Sequence, residues 1–254
     1  MCRFIAYLGP PVTLDALLCA PEFGLVHQAY APRHQQRGRI NADGFGVGWY
    51  APDVRPDPAR YRTTTPMWAD NSFASLAGVV RSGAVVAAVR NASPGLPVDE
   101  SCTAPYTHDR WLFAHNGRVD HFPGATATQL RRALSDTRIA HLQGATDSEV
   151  LFGLVLDRMS DGAAPPDAVA AVIKKTLAIA PASRLNLCLS DGDTIVATAC
   201  GDSLFTRTAG DGDAATSAVV VASEPYDDDP AWNAVGEGSL VVATRNSLDI
   251  GALT

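Results

Sequence analysis

The first residues that could do chemistry stand at the start of the chain, where Cys2 directly follows Met1. Removal of the methionine would place a thiol and a free α-amine on the same residue. The amine has an ordinary pKa of about 7.7–8.0, so at neutral pH it can accept the proton of its own thiol. The thiolate is a nucleophile, and a cation such as Arg3 would stabilise it. The alternative interpretation is an ordinary buried cysteine near a chain end.

A nucleophile that attacks an acyl carbon needs N–H donors for the oxyanion that forms. The stretch AHNG (114–117) offers two such donors. Asn116 has a side-chain amide, and Gly117 has a backbone N–H in a residue that can turn tightly. An ordinary Asn-Gly hairpin turn after a strand is the alternative.

Two charged residues and a serine could anchor a substrate. Arg90 ends the apolar run AVVAAVR (84–90), which predicts a buried strand, and a guanidinium there could grip a carboxylate. Ser93 could add a hydroxyl, and Asp147 could pair with an ammonium group. Together they would suit an α-amino acid. The alternatives are a surface arginine at a strand end and an aspartate that caps a helix.

Composition excludes several other classes of protein. A hydrophobic content of 46% with 19% charged residues is typical of a globular chain, and the net charge of −7 disfavours nucleic acid as a partner. No stretch has the character of a membrane span or a signal peptide, so we expect no membrane partner and a cytoplasmic location. The five cysteines show no close pairing, which argues against a metal site.

The elements that must position these residues follow from periodicity and turn signals. The chain predicts strands, then helices, then strands again, which favours α+β layers with sheet stacked on sheet and helices outside. Residues 52–70 are rich in Pro, Asp, Arg and Thr and predict an excursion on the surface, and 209–217 predict a loop. Helices are expected over 13–18, 128–134, 147–159 and 165–180.

Taken in order, the motifs MCR, NADGFGVGW, VRNAS, FAHNG, TDSE and VVASEP resemble the class II glutamine amidotransferase domain of the N-terminal nucleophile hydrolases. The resemblance implies one domain over 1–254 with a four-layer αββα sandwich. It also implies loss of Met1, a covalent Cys2 nucleophile, and an oxyanion hole formed by Asn116 and Gly117. Arg90 and Asp147 would hold the carboxylate and amine of a γ-glutamyl group, and Ser93 would line the pocket.

Three longer stretches, LVHQAYAPRHQQRGRINADGFGVGWY, PMWADNSFASLA and ASEPYDDDPAWNAV, are similar to stand-alone hydrolases within this family. Those hydrolases cleave the γ-glutamyl amide of γ-glutamyl-hercynylcysteine S-oxide in ergothioneine biosynthesis. The resemblance implies a hydrolase of a small molecule, with no cofactor, no metal and no obligate protein partner. Because no second domain is expected after the amidotransferase domain, we expect hydrolysis rather than transfer of nitrogen within the polypeptide.

The leaving group of that reaction carries a trimethylammonium group, which aromatic faces and carboxylates suit. Tyr226 and Trp232, with Trp68, are therefore candidates for its binding. The alternative is an acidic surface loop with Trp232 packed beneath it. Two other functions stay open: a glutaminase subunit that supplies ammonia to a separate synthase, and a binding module without activity.

Overall fold

The fold is seen in a computed structural model that describes residues 2–210 and 216–253. The helices within these residues are α1 (Leu14–Leu18), α2 (Leu25–Tyr30), α3 (Asn71–Ala77), α4 (Ala125–Arg131), α5 (Asp136–His141), α6 (Asp147–Ser160) and α7 (Pro165–Ile179). The strands are β1 (Arg3–Thr13), β2 (Phe45–Trp49), β3 (Ala59–Thr63), β4 (Arg81–Val89), β5 (Tyr106–His108), β6 (Trp111–Arg118), β7 (Arg184–Ser190), β8 (Ile195–Ala199), β9 (Phe205–Ala209), β10 (Ala218–Ala222), β11 (Asn233–Ala234), β12 (Ser239–Ala243) and β13 (Leu248–Ala252).

The strands form two antiparallel sheets. The first has the order β11-β9-β10-β1-β4-β2-β3, and the second has the order β13-β12-β8-β7-β6-β5. Strand β1 is central in the first sheet because its apolar residues pair on both sides, with Ile5 opposite Ala87 of β4 and Ala222 of β10. Its start, and therefore Cys2, is held at the middle of that sheet.

Three apolar cores separate four layers. One lies between the two sheets and includes Phe4 and Leu112. A second packs α1, α2 and α3 on the first sheet, and the third packs the longer helices α6 and α7 on the second sheet. Since successive side chains of a strand point to opposite faces, β1 contributes to two of these cores at once. The predicted four-layer αββα sandwich is confirmed.

Side-chain caps start several of the helices where the sequence places Thr, Asp or Ser. Thr13 Oγ1 accepts a bond from Ala16 N at the start of α1, so Thr13 is the cap of that helix. The cap of α6 is Thr146, whose hydroxyl accepts from Glu149 N at 3.2 Å. Asp147 is the first residue inside that helix, so the interpretation of Asp147 as its cap is wrong.

The sequence expectation for one surface segment differs from the structure. Residues 52–70 are not only a surface excursion, because 59–63 form β3 at the edge of the first sheet. Its residues are only half-buried, so the apolar pattern that marks an inner strand is missing. The predicted loop over 209–217 falls largely on residues 211–215, which lie outside the described part of the chain.

None of the described helices is both long and apolar enough to cross a bilayer.

Candidate active site

The structure brings Cys2, Arg90, Ser93, Gly117 and Asp147 to the wall of one pocket of about 470 Å³. The pocket forms where the start of β1 meets the loop after β4 on one side, and the end of β6 and the start of α6 on the other. Four stretches that lie far apart in the sequence are therefore neighbours in the fold.

Cys2 is half-buried, and its main-chain nitrogen donates to Asn116 Oδ1 at 3.1 Å. This bond joins the first sheet to the second at the site. The Asn116 amide nitrogen has only a long contact of 3.4 Å to Ser223 Oγ. That hydroxyl also accepts from Phe4 N at 3.0 Å, so Ser223 ties the start of β1 to the same corner. The orientation leaves Asn116 Nδ2 able to donate a stronger bond to a ligand.

Three other thiols of the chain lie in surroundings that raise their pKa. Burial raises the pKa of Cys19 to about 11 and that of Cys188 to about 12. Burial, together with the charge of Glu237, also raises the pKa of Cys200. These three thiols stay protonated at neutral pH, so they are poor nucleophiles.

Gly117 is not part of a turn, because the ladder between β6 and β7 continues through it with Leu185 opposite. The interpretation of Asn116-Gly117 as a hairpin turn is wrong. A side chain at this position would collide with the carbonyl of Arg184 and the ring of His115. Glycine is required here by the close approach of neighbouring atoms rather than by its backbone angles.

His115 lies beside the pocket with both ring nitrogens engaged. Nε2 is 2.9 Å from the carbonyl oxygen of Arg184, which can only accept, so Nε2 carries the proton. Nδ1 then accepts from Ser148 Oγ at 3.0 Å. A ring bonded through both nitrogens orients β6 against α6, which agrees with a structural histidine.

The Arg90 guanidinium is buried and only partly satisfied. Nη2 donates to the carbonyl of Pro97 at 2.8 Å, while Nη1 is buried with no hydrogen-bond partner. The main chain of Arg90 is also fixed, because its carbonyl accepts from Asp43 N and its nitrogen donates to Gly44 O. A rigid, buried cation with a free donor favours an anionic ligand, since an unmade bond of a charged group is costly.

Asp147 is buried at the first turn of α6, where its carboxylate accepts from Val119 N at 2.8 Å and Ser148 N at 2.9 Å. Within the described residues it forms no ion pair. Its charge is therefore available to a cationic group in the pocket. Ser93 stands in the loop that carries Arg90, and Ala92 N donates to Asp43 Oδ2 at 2.7 Å, which ties that loop to the start of β2.

Sequence reasoning missed several residues that shape the pocket. Asp43 and Ser223 hold its walls, and Tyr106 closes its floor with a hydroxyl in contact with Cys102 O and Thr146 Oγ1. Ser223 lies in the quoted motif VVASEP, but nothing in that motif shows that its hydroxyl faces a strand 219 positions earlier.

The aromatic candidates Trp68, Tyr226 and Trp232 do not line the pocket that contains Cys2. Tyr226 and Trp232 pack edge to face at 5.0 Å, with the Arg207 guanidinium within 6 Å of both ring centres. Asp227 accepts bonds from Arg207 and from Trp232 Nε1. We call these four residues the Arg207 cluster.

Trp68 is different, because 43% of it is exposed and it packs edge to face with Tyr30, which is 48% exposed. The two rings form an open aromatic pair on the surface. Tyr30 ends α2, and Asn41 N donates to the carbonyl of the preceding Ala29. Asn41 is two residues from Asp43, so the pair and the loop of Arg90 are linked through one short segment.

Comparisons with known proteins agree with this geometry. The family model described as "Glutamine amidotransferases class-II" matches residues 23–210. The γ-glutamyl-hercynylcysteine sulfoxide hydrolase of Mycolicibacterium smegmatis is 39% identical over 95% of this chain and 95% of its own length. The protein of the same name from Mycobacterium tuberculosis (strain CDC 1551 / Oshkosh) is 37% identical over 100% of this chain and 97% of its own.

Among solved structures, the "glutamine aminotransferase class-II domain protein" from Silicibacter pomeroyi superposes with a TM-score of 0.71. It is 27% identical, and the alignment covers 100% of both chains. The family model spans well over half of the sequence, and the relatives match it along nearly their whole length. The chain belongs to the class II glutamine amidotransferase family.

Proposed function

We propose that this protein hydrolyses the γ-glutamyl amide of γ-glutamyl-hercynylcysteine S-oxide, releasing glutamate and hercynylcysteine S-oxide. The observation that carries the proposal is the pocket itself, which combines Cys2 with a half-satisfied Arg90 and an Asp147 without an ion pair. The two mycobacterial relatives, which bear the name of this activity, support the choice of substrate.

The γ-glutamyl group has one carboxylate and one ammonium group at its α-carbon. Arg90 Nη1 would donate to the carboxylate, while the bond of Nη2 to Pro97 keeps the fork in place. Asp147 would accept from the ammonium group, and Ser93 would contribute to the wall beside them. This orientation places the γ-carbonyl carbon toward Cys2.

The first half of the reaction forms a thioester. After Met1 is removed, the Cys2 α-amine takes the thiol proton, and Sγ attacks the γ-carbonyl carbon. The oxyanion accepts bonds from Asn116 Nδ2 and the Gly117 N–H. Asn116 Oδ1 already accepts from the Cys2 nitrogen, so one side chain would orient the base and bind the oxyanion.

The second half releases glutamate. It begins once the tetrahedral intermediate has collapsed to the thioester. That collapse breaks the C–N bond, and the ammonium of Cys2 gives its proton to the leaving amine. Water then attacks the thioester with the same amine as base, which yields glutamate and restores the thiol. None of these steps uses a metal or cofactor, and we also propose a cytoplasmic enzyme without an obligate protein partner.

For the leaving group we propose the open pair of Trp68 and Tyr30 as the surface that meets the trimethylammonium group. Its rings are exposed, and a quaternary ammonium binds aromatic faces without needing a hydrogen bond. Tyr226 and Trp232 stay second candidates, because the cation they already face is Arg207.

The test combines intact mass with glutamate release from γ-glutamyl-hercynylcysteine S-oxide and from glutamine. We expect the mass without Met1, a clear preference for the hercynyl compound, and no release by Cys2→Ala. Cys19→Ala is the matched control, since Cys19 is also half-buried but burial raises its pKa to about 11. Preference for glutamine would indicate a glutaminase that supplies ammonia. Retained Met1, or activity of Cys2→Ala, would contradict the mechanism.

A further inference from the structure

Two fully buried charged side chains stand next to the proposed nucleophile, and the mechanism above uses neither of them. Arg3 and Glu224 are both completely buried, and Arg3 Nε lies 2.6 Å from Glu224 Oε1. Charged side chains are almost never buried to this extent unless they are paired. Burial lowers the pKa of Arg3, and the charges of Glu224 and Asp202 oppose that shift, so Arg3 remains a cation at neutral pH.

The hydrogen bond between the Arg3 guanidinium and Cys2 goes to the main chain of Cys2. Arg3 lies within β1, and strand alternation puts its side chain on the same face as Ile5 and Tyr7. From there Nη1 donates to the carbonyl oxygen of Cys2 at 3.1 Å. The arginine therefore holds the main chain of the nucleophile.

Glu224 connects that arginine to a second segment of the site. Its Oε2 accepts from the backbone nitrogens of Arg33 and His34 at 2.5 and 3.1 Å. The residue before it, Ser223, accepts from Phe4 N and contacts the Asn116 amide. One short stretch thus fixes the start of β1, the oxyanion residue and the polar segment after α2.

The need for such a pair follows from the position of Cys2. The ladder of β1 with β4 begins at Arg3, and Cys2 lies one residue outside it. When Met1 is removed, Cys2 becomes the chain terminus, and terminal residues fray unless they are tied down. The described contacts of its main chain are the bond to Asn116 Oδ1 and the bond from Arg3 Nη1.

We infer that Arg3 and Glu224 form a positioning pair that fixes the main chain of Cys2, so that its amine and thiol point at the γ-carbonyl. This inference rests on the proposed role of Cys2 as nucleophile. The pair binds no substrate, so its loss lowers the rate of the chemical step and leaves binding of the γ-glutamyl group to Arg90 and Asp147.

The test is the double variant Arg3→Met/Glu224→Gln in the processed protein. Removing both charges avoids a lone buried ion, and glutamine still offers an oxygen to the nitrogens of Arg33 and His34. We expect kcat to fall about 100-fold, because a displacement of about 1 Å in reacting groups has that effect. KM is expected to stay within about threefold, since the anchors are intact.

The control variant is Arg138→Met/Asp157→Asn, which removes another largely buried ion pair, of 3.2 Å, between α5 and α6. It is expected to lower Tm and leave both kinetic constants unchanged. A merely structural role for Arg3 and Glu224 predicts the same pattern for both double variants. A folded Arg3→Met/Glu224→Gln protein with kcat within about threefold of wild type overturns the inference.

A second variant decides the case if the double variant does not fold. Arg3→Lys keeps the charge for Glu224, but a single ammonium on a flexible stem cannot reproduce the fork that also reaches the Cys2 carbonyl. We expect an unchanged Tm and a kcat lowered about tenfold. Wild-type kcat in Arg3→Lys would overturn the inference.

If the wild-type protein releases no glutamate from either substrate, the proposed function fails. The positioning role of Arg3 and Glu224 is then tested by alkylation of Cys2. The rate at which iodoacetamide modifies Cys2 is then followed against pH, with the site located by mass spectrometry. A shifted profile in Arg3→Lys, with wild-type Tm, supports positioning of the amine and thiol. Identical profiles overturn it.

Discussion

Asn116 and Asn186 lie opposite each other on β6 and β7, both are fully buried, and they differ in what their amides contact. The side-chain amide of Asn186 has all its hydrogen-bond partners. Its Nδ2 donates to the carbonyls of Asp202 and Ser203, and its Oδ1 accepts from two backbone nitrogens. Asn116 accepts from the Cys2 nitrogen, but its amide nitrogen has only a contact of 3.4 Å.

Arg90 and Arg207 repeat this contrast on the first sheet. Arg207 donates to the carboxylates of Asp227 and Asp229, at 2.8 and 2.9 Å, and lies over two aromatic rings. Arg90 has one nitrogen bonded and another buried without a partner. A buried polar group without a partner destabilises a fold, so it persists where a ligand completes it. In both pairs, the residue with an unused donor is the proposed site residue, and the residue with all its partners belongs to the scaffold.

The largest expected effect comes from Asn116→Ala compared with Asn186→Ala. Asn116→Ala removes a proposed oxyanion donor and should lower kcat about 100- to 1000-fold. Asn186→Ala leaves four backbone groups of the loop after β8 without their partner, so it should mainly lower Tm. Steady-state kinetics and thermal unfolding of both variants measure the difference. Equal losses of kcat in two folded variants would break the comparison.

Arg90→Met should have the next largest effect. Loss of a buried, charge-assisted contact to the substrate carboxylate is expected to lower kcat/KM about 100-fold for both the hercynyl compound and glutamine. Because Nη1 has no partner in the free protein, the side-chain hydrogen bond lost is the one from Nη2 to the Pro97 carbonyl, so Tm should fall only slightly. A lower Tm with unchanged kcat/KM would show that Arg90 is structural.

The residue types at the site were predictable from the sequence, but their partners were not. Cys2, Asn116 and Asp147 are identified by chemistry and by motif order. Cys2 and Asp147 line the pocket, and Asn116 lies behind its wall, bonded to the Cys2 nitrogen. The cap of α6 is Thr146 rather than Asp147. Hydrophobic periodicity does not define the first residue of a helix to within one position, so it could not distinguish the two. The edge strand β3 was missed because its half-buried residues lack an apolar alternation.

Some polar groups have an unused donor and others have all their hydrogen-bond partners. The contacts that make this difference join residues far apart in the chain. Ser223 meets Phe4 across 219 positions, and Glu224 meets Arg33 across 191. The aromatic and acidic residues of ASEPYDDDPAW were identified by composition alone. Nothing local to that stretch shows that Arg207, on the neighbouring strand β9, already binds its carboxylates.

Trp68→Ala sharpens the comparison for aromatic residues. We expect kcat/KM for the hercynyl compound to fall about fivefold, the effect of one partly exposed cation–π contact, with no change for glutamine. Trp232→Ala should alter the ratio of the two substrates by less than about twofold, because its ring belongs to the Arg207 cluster. The reverse pattern would assign the leaving group to Tyr226 and Trp232.

The smallest effect on activity is expected for Arg207→Met. This change removes two ion pairs and two ring contacts that are partly exposed, so we expect a loss of about 1 kcal/mol, or about 2–4 °C in Tm. Asp227 keeps its bond from Trp232 Nε1, which limits the loss. Since no atom of Arg207 lines the pocket, kcat/KM should stay within about twofold for both substrates. A loss of activity with unchanged Tm would mean that the Arg207 cluster contributes to catalysis or binding although its polar groups already have partners. The presence or absence of hydrogen-bond partners would then not distinguish site residues from scaffold residues.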